Sequence, residues 1–344
     1  MKALSYEAHG GPEVLRYHDV PDPVPGDRDV VIGVEATSVN HMDVAQRNGW
    51  FTLPGYTLPH IAGLDIAGVV IEAGADVTSV KVGDRVLVDP SMAGVPEGSK
   101  LAGKGELYGV LGVLGATIDG GYAERCLAPE THVFQIPDAV SFNEAAAFPT
   151  AWMTSHHALF DVGALKAGET IMIHAAGSGV SMAAIQWAKS VGATVLATAG
   201  SESKCDKARE IGADHTSVNR DTDVTGWAKE ITNGRGVDMV FDHVGEALWA
   251  PSMFSLAPRG RLVCCGNTSG DNPKIPSLGY MFHMGLRIMG SDPYRPEEFG
   301  PAWKAFCDGD FKQAIDSVYP LSEGGAAQEK LISGDFFGKI ILTP

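Results

Sequence analysis

Residues 169–200, ETIMIHAAGSGVSMAAIQWAKSVGATVLATAG, restrict the possible fold more tightly than any other stretch of this 344-residue chain. An apolar run, Thr170 to His174, opens into the small residues Ala175, Ala176, Gly177, Ser178, Gly179, Val180 and Ser181. Apolar side chains at helical spacing (Ala184, Ile185, Trp187, Ala188) follow at once, and then a second strand-like run, Thr194 to Thr198. Strand, Gly-rich turn, helix and strand in this order specify parallel strands joined by a right-handed crossover. Small residues at the turn let backbone N–H groups close on a pyrophosphate at the helix N-terminus, where the helix dipole favours negative charge. GVDMVFDHVG and GRLVCCG add further apolar strands, so the expectation is an α/β domain with a doubly wound parallel sheet.

Before Pro149 the rhythm is different. DVVIGVEATSV, DIAGVVIEAGADV and VGDRVLVDP are short Val/Ile-rich runs bounded by turn residues, which predict a β-rich, barrel-like domain. The tail from about Asp292 returns to mixed helix and strand and ends in GDFFGKIILTP, a terminal strand able to rejoin the first domain. The expected division is 1–148 with 291–344 for the β-rich domain and 149–290 for the parallel one, as a chain too long for a single core requires.

Composition excludes some partners. Lys+Arg 26 against Asp+Glu 42 gives a formal charge of −16, which repels a nucleic-acid backbone or an anionic membrane. No run of eighteen apolar residues occurs, and the start has no apolar segment behind a basic head, so a soluble, cytoplasmic protein is expected. The five cysteines form no CxxC pair, and Cys264 and Cys265 are adjacent, which suits reduced thiols.

The strand Thr194 to Thr198 ends in Ala199, Gly200 and Ser201, where an NAD-selective domain would place a carboxylate for the ribose 2′-OH. Without that carboxylate a 2′-phosphate meets no repulsion. Ser201, Lys204 and, from the next strand end, Arg220 offer donors to it, so the expected cofactor is NADPH, with Glu202 as the alternative 2′-OH acceptor.

These residues resemble the medium-chain dehydrogenase/reductase superfamily over essentially the whole chain. VNHMD, GLDIAGVV, VGDRVL, IDGGYAE and AAGSGVSMAAIQWAKSVGA carry the match, with VDMVFDHVG and GNTSG after them. The resemblance implies a GroES-like catalytic domain built from both chain ends, an inserted Rossmann domain and a homodimer formed by edge pairing of the Rossmann sheets. It also implies cofactor contacts at Ala176, Gly177, Ser178, Gly179, Val180, Val244, Gly266, Asn267 and Lys339, and at Thr154 near the nicotinamide end.

The departures from the family pattern carry most information. Its zinc alcohol dehydrogenases take catalytic ligands from positions that here hold Asn40, Leu64 and Thr150, and a hydroxyl relay from the position of Met42. Leucine cannot ligate zinc, and amide and hydroxyl are poor stand-ins for thiolate, so no metal is expected. The four positions of the structural zinc hold Gly94, Glu97, Lys100 and Tyr108, with a Glu97–Lys100 ion pair as a possible substitute. His41, Asp43, His60 and Asp65 are close in sequence, yet the carboxylates resemble structural groups more than ligands.

Without a Lewis acid the easier chemistry is hydride transfer to an electron-poor alkene or quinone: an enone, an enoyl thioester such as acryloyl-CoA, or a quinone. Asn40 could donate a hydrogen bond to the developing enolate oxygen, or could merely brace its loop. The tyrosine used by enoyl thioester reductases falls near Trp50 and Phe51, which leaves Tyr56, His41 or water to return the proton. Arg47, Lys100, Lys104 and Arg295 are candidate cations for a coenzyme A tail. Trp50, Phe51, Tyr108 and Phe282 are candidate pocket aromatics. A carbonyl reductase or alcohol dehydrogenase is the alternative, and a crystallin-like NADPH-binding protein without turnover is a third reading.

Overall fold

The computed structural model describes residues 1–104, 106–107, 110–220 and 222–344. They form two compact units, 1–150 with 295–344 and 151–294. The expected boundaries at 148/149 and 290/291 therefore fall at 150/151 and 294/295. Two contacts account for the shifts. Thr150 is tied by backbone and side chain to Asp65 of the first unit, and Ser291 N donates to Cys264 O of the second.

The first unit is β-rich. Strand Asp29–Ser38 is its spine: VVIGVEATS is rich in β-branched residues, almost wholly buried, and paired with Asp65–Ala73, Arg125–Pro129 and Lys339–Thr343. The seven-stranded sheet runs Val133–Gln135, Arg85–Val88, Asp65–Ala73, Asp29–Ser38, Lys339–Thr343 and Ile315–Pro320, with Arg125–Pro129 on the spine. Its only parallel pair, among the described residues, joins Ile315–Pro320 to Lys339–Thr343. A smaller sheet pairs Arg16–Asp19, Lys2–Tyr6 and His60–Ile61. Helix Pro296–Asp308 lays Phe299, Trp303 and Phe306 against Phe148, at ring-centroid distances of 5.7, 4.9 and 5.2 Å.

The segment that resembles the family's structural-zinc lobe is anchored by apolar side chains. Met92 and Leu101 enter the core with Val88 and Leu114. The Glu97–Lys100 ion pair is not what forms: the Lys100 ammonium donates to the carbonyl of Val24 at 2.7 Å, because the chain turns it toward that loop. Tyr108 lies outside the described residues.

The second unit holds a six-stranded, all-parallel sheet in the order His215–Val218, Thr194–Ala199, Thr170–Ile173, Val237–Asp242, Leu256–Cys264 and Arg287–Gly290. In chain order this is 3-2-1-4-5-6, the doubly wound arrangement that opens a crevice beyond the carboxyl ends of the first and fourth strands. TIMI and VDMVFD are near-continuous apolar runs because both faces of a parallel sheet are covered. Helix Gly179–Ser190 follows the first strand after the short turn 174–178.

Candidate active site

In the first unit the three positions that bind zinc in relatives lie around one carboxylate. Asp65 is fully buried at the start of its strand. Its Oδ1 accepts from the Thr150 backbone N–H at 2.8 Å and hydroxyl at 2.6 Å. Its Oδ2 accepts from the Ser38 hydroxyl at 2.5 Å, Asn40 Nδ2 at 2.9 Å and Lys339 Nζ at 3.2 Å. Strand register explains the convergence: Ser38 pairs opposite Asp65, and Ile341 opposite Ser38, so Lys339 arrives at the same strand end. Gly63, at φ +101°, makes the preceding turn, where an added Cβ would stand 2.4 Å from the Tyr122 ring.

Lys339 Nζ also donates to Asn40 Oδ1 at 2.6 Å and to the carbonyl of Val39 at 3.3 Å. Its three N–H bonds are thus directed into the protein, and Lys339 forms an internal ion pair with Asp65. Leu64, an amide and a hydroxyl do not suit zinc, and an ammonium against the shared carboxylate suits it less. Among the described residues, no three His, Cys, Asp or Glu side chains gather as metal ligands.

Asn40 caps helix His41–Arg47, with Asp43 accepting from its backbone N–H at 2.8 Å. Complete burial pushes the Asp43 carboxyl up to about 7, against hydrogen bonds from Asn40 N and the Tyr122 hydroxyl that favour the charged form. His41 is exposed at the first turn of that helix. Tyr56 is half-buried between His9 and His60, and burial holds its phenol above the ordinary range. His60 Nε2 lies 3.0 Å from the carbonyl of Gly115, so it is a structural residue. Trp50 and Phe51 are exposed. Of the candidate cations, Arg47 is buried and donates to Gln328 Oε1 at 2.6 Å, which removes it from any role with a coenzyme A tail.

In the second unit the glycine-rich turn sits at the carboxyl end of the first strand. Ala176 N donates to Thr198 O at 2.8 Å, and the Ser178 hydroxyl caps helix Gly179–Ser190 by accepting from Val180 N at 3.3 Å. Ala175 takes φ +50°, the left-handed region, which turns the strand sharply into the loop. Ser201 stands at the N-cap position of helix Glu202–Glu210 without a side-chain capping bond, Lys204 is half-buried on that helix, and Arg220 is exposed just past the neighbouring strand. An added Cβ on Gly200 would meet nothing within 4 Å, so the strand end is open. Glu202, the alternative 2′-OH acceptor, is instead ion-paired with Arg209 at 2.6 Å. Val244 and Gly266 lie at the carboxyl ends of the fourth and fifth strands, and Asn267 is exposed with its Nδ2 3.0 Å from Asp271. Thr154 is half-buried on helix Pro149–His156, and the His157 that follows is buried against Asp292 at 3.2 Å.

Beneath this turn lies a buried polar network that sequence reasoning missed. The Ser252 hydroxyl reaches Asp242 Oδ2 at 3.0 Å and Leu248 O at 2.6 Å, which leaves its oxygen to accept from His174 Nε2 at 3.0 Å. His174 Nδ1 then accepts from the Thr198 hydroxyl at 2.8 Å. Ser181 donates to the His174 carbonyl at 2.6 Å and accepts from His243 Nε2 at 2.7 Å. Burial pushes His243 down to about 4 and lowers His174, so both rings are neutral. A polar residue closing an apolar strand, as His174 does, was the available signal.

The comparisons with known proteins agree with this geometry. Residues 26–138 match the alcohol dehydrogenase GroES-like domain and residues 179–307 the zinc-binding dehydrogenase family. A quinone oxidoreductase of Pseudomonas aeruginosa is 32% identical over 100% of this chain and 99% of its own length. Among solved structures, an NAD-dependent alcohol dehydrogenase superposes with a TM-score of 0.92 at 35% identity, covering all of both chains. The quinone oxidoreductase of Escherichia coli, complexed with NADPH, does so with a TM-score of 0.85 at 28% identity, again covering all of both. With two matched domains, the 3-2-1-4-5-6 sheet and end-to-end likeness to a curated member, this chain belongs to the medium-chain dehydrogenase/reductase superfamily, in the branch that its quinone oxidoreductases occupy.

Proposed function

We propose that the protein is a zinc-independent, NADPH-dependent reductase acting on an activated C=C bond or a quinone, with enones, enoyl thioesters and quinones as the substrate class. The observation that carries this is the Asp65 cluster: Asn40, Leu64 and Thr150 stand at the ligand positions, and a lysine ammonium neutralises the carboxylate beside them. Such a site offers hydrogen bonds to an oxygen that gains charge and offers no Lewis acid to an unactivated carbonyl.

NADPH, when bound, supplies the hydride from its nicotinamide ring. On this reading Ala176, Gly177, Ser178, Gly179 and Val180 hold the pyrophosphate. Lys204 and Arg220, with the Ser201 hydroxyl, hold the 2′-phosphate at the open strand end, where Glu202 is drawn away by Arg209. Thr154, Val244, Gly266 and Asn267 contact the nicotinamide end. Asn40 donates from Nδ2 to the acceptor's oxygen as enolate or phenolate charge develops. Tyr56, His41 or water returns the proton to the α-carbon or oxygen.

The likeness to an NAD-dependent alcohol dehydrogenase favours a second reading, a carbonyl reductase or alcohol dehydrogenase. One experiment separates the two. Metal-analysed protein is assayed for NADPH and NADH oxidation with a quinone, an α,β-unsaturated ketone, acryloyl-CoA, crotonyl-CoA and a simple aldehyde. Chelator-resistant turnover of the first four with NADPH supports the reductase. Turnover of the aldehyde alone, or loss of activity with chelator, overturns it.

We also propose a homodimer through the outermost strand Arg287–Gly290, whose outer edge has no strand partner among the described residues, next to the exposed Leu278 and Phe282. Light scattering at a protomer's mass would overturn it. The free cysteines fit a reducing compartment, and we place the protein in the cytoplasm. No described helix is long and apolar enough to cross a membrane.

A further inference from the structure

We propose that Lys339 and Asp65 are a positioning pair, which fixes the Asn40 carboxamide so that its N–H side serves the substrate's oxygen. This deepens the reductase reading and rests on it.

The chemistry of the partners sets the orientation of the amide. A lysine ammonium can only donate, so the Asn40 atom 2.6 Å from Lys339 Nζ is the oxygen. An ionised carboxylate can only accept, so the atom 2.9 Å from Asp65 Oδ2 is the nitrogen. A flip would set oxygen against carboxylate and NH₂ against ammonium, two repulsive contacts at once. Asn40 Nδ2 carries two hydrogens and Asp65 takes one. Among the described hydrogen bonds none uses the second, which the reductase reading assigns to the substrate's oxygen.

Burial makes this restraint strong. Asp65, Lys339 and Asn40 are 0, 4 and 8% exposed, so little water competes for the same bonds. Asp65 is itself braced by Ser38 and by both donors of Thr150, and the Asn40 backbone is held by Asp43. Lys339 is not the electrophile, because its own N–H bonds end on Asn40, Asp65 and Val39. The pair acts through Asn40. The amide stays turned one way before substrate arrives, and no reorganisation accompanies charge development.

The test compares Asn40→Ala in two backgrounds, the native chain and Lys339→Met/Asp65→Leu, which removes both charges together and avoids a stranded buried ion. In the native chain Asn40→Ala is expected to lower kcat about 100-fold. The paired substitution is expected to lower kcat about 30-fold with KM and NADPH affinity nearly unchanged. Adding Asn40→Ala to it should then cost less than about 5-fold more, the non-additivity of coupled groups. An equal cost in both backgrounds overturns the proposal. If the charge-free chain does not fold, Lys339→Arg and Lys339→Gln replace it. Arginine should keep kcat within about 3-fold and glutamine lose about 10-fold or more at unchanged NADPH affinity, while equal activities overturn the pairing.

A spectroscopic readout separates this proposal from the reading beneath it. In protein labelled with heavy nitrogen at asparagine, one Asn40 side-chain N–H should resonate downfield through its bond to Asp65. It should lose that shift in Lys339→Met/Asp65→Leu, with the signal assigned by its absence in Asn40→Ala. An unmoved resonance overturns the positioning role even if the enzyme reduces enones. A native chain that turns over no activated alkene or quinone overturns the reductase reading, while the amide spectrum still decides the orientation.

Discussion

At the scale of single residues, charge and burial decide the properties that matter. Lys204 lies on the helix that follows Gly200 and Arg220 just past the neighbouring strand, while Glu202 is ion-paired with Arg209. Replacing both with alanine should raise the Kd for NADPH about 10- to 100-fold and leave NADH binding within about 3-fold, because only the 2′-phosphate needs them. Fluorescence titration with both cofactors checks it, and equal losses would mean that these residues do not read the phosphate. His243 gives a pH prediction. Its folded value of about 4 lies below the ordinary 6.5 of an unfolded chain, so the unfolded state binds more protons between those limits. Its contribution is present above pH 6.5 and is lost as pH falls toward 4, by at most about 3 kcal/mol. Asp43, raised to about 7, opposes it: its neutral form favours the fold at low pH, and that benefit fades as pH rises through 7. His243→Gln keeps a donor for Ser181, so a cofactor-free melting series should show a shallower acid loss than the native chain. Parallel slopes would refute the assignment.

At the scale of elements, what was legible in the sequence was what depends on neighbours in the chain. TIMI, TVLATA and the Gly-Ser-Gly turn declared a parallel sheet, since strand pattern, turn and helix spacing are local. The apolar stripe Phe299, Trp303, Phe306 forms one face of helix Pro296–Asp308. Phe299 is fully buried, with its ring 4.8 Å from that of Phe134. Phe299→Ala should therefore cost about 3–5 kcal/mol in denaturant unfolding of the first unit, and a loss below about 1 kcal/mol would show that the helix is not held by this stripe. Contacts spanning hundreds of residues left no local mark. Asn40, Leu64 and Thr150 were recognisable as altered ligand positions, but that a lysine near residue 339 would reach the same carboxylate follows from strand register alone. For the same reason the ion pair of Lys339 with Asp65 was not foreseen, and His174 was passed over as the end of an apolar strand. The Glu97–Lys100 pair failed because Met92 and Leu101 already anchor that segment, leaving the lysine free to cap a loop carbonyl.

At the scale of the whole molecule, two separate cores predict two unfolding events in place of one. Calorimetry without cofactor should resolve two transitions, and NADPH at about 100 times its Kd should stabilise the 151–294 unit by about 2.7 kcal/mol. If both transitions rise equally, the units unfold as one cooperative body. Strand Lys339–Thr343 also sets a timetable. It completes a sheet whose spine, Asp29–Ser38, leaves the ribosome roughly 300 residues earlier, and the whole 151–294 unit is made in between. At about 5–20 residues per second, roughly 15–60 seconds pass in which the Thr37–Ser38 end of the spine waits for this partner while the inserted unit can already fold. A nascent chain with an unfinished apolar sheet edge is what holding chaperones bind. In a cell short of them, newly made copies should be lost to aggregation while copies already finished stay intact.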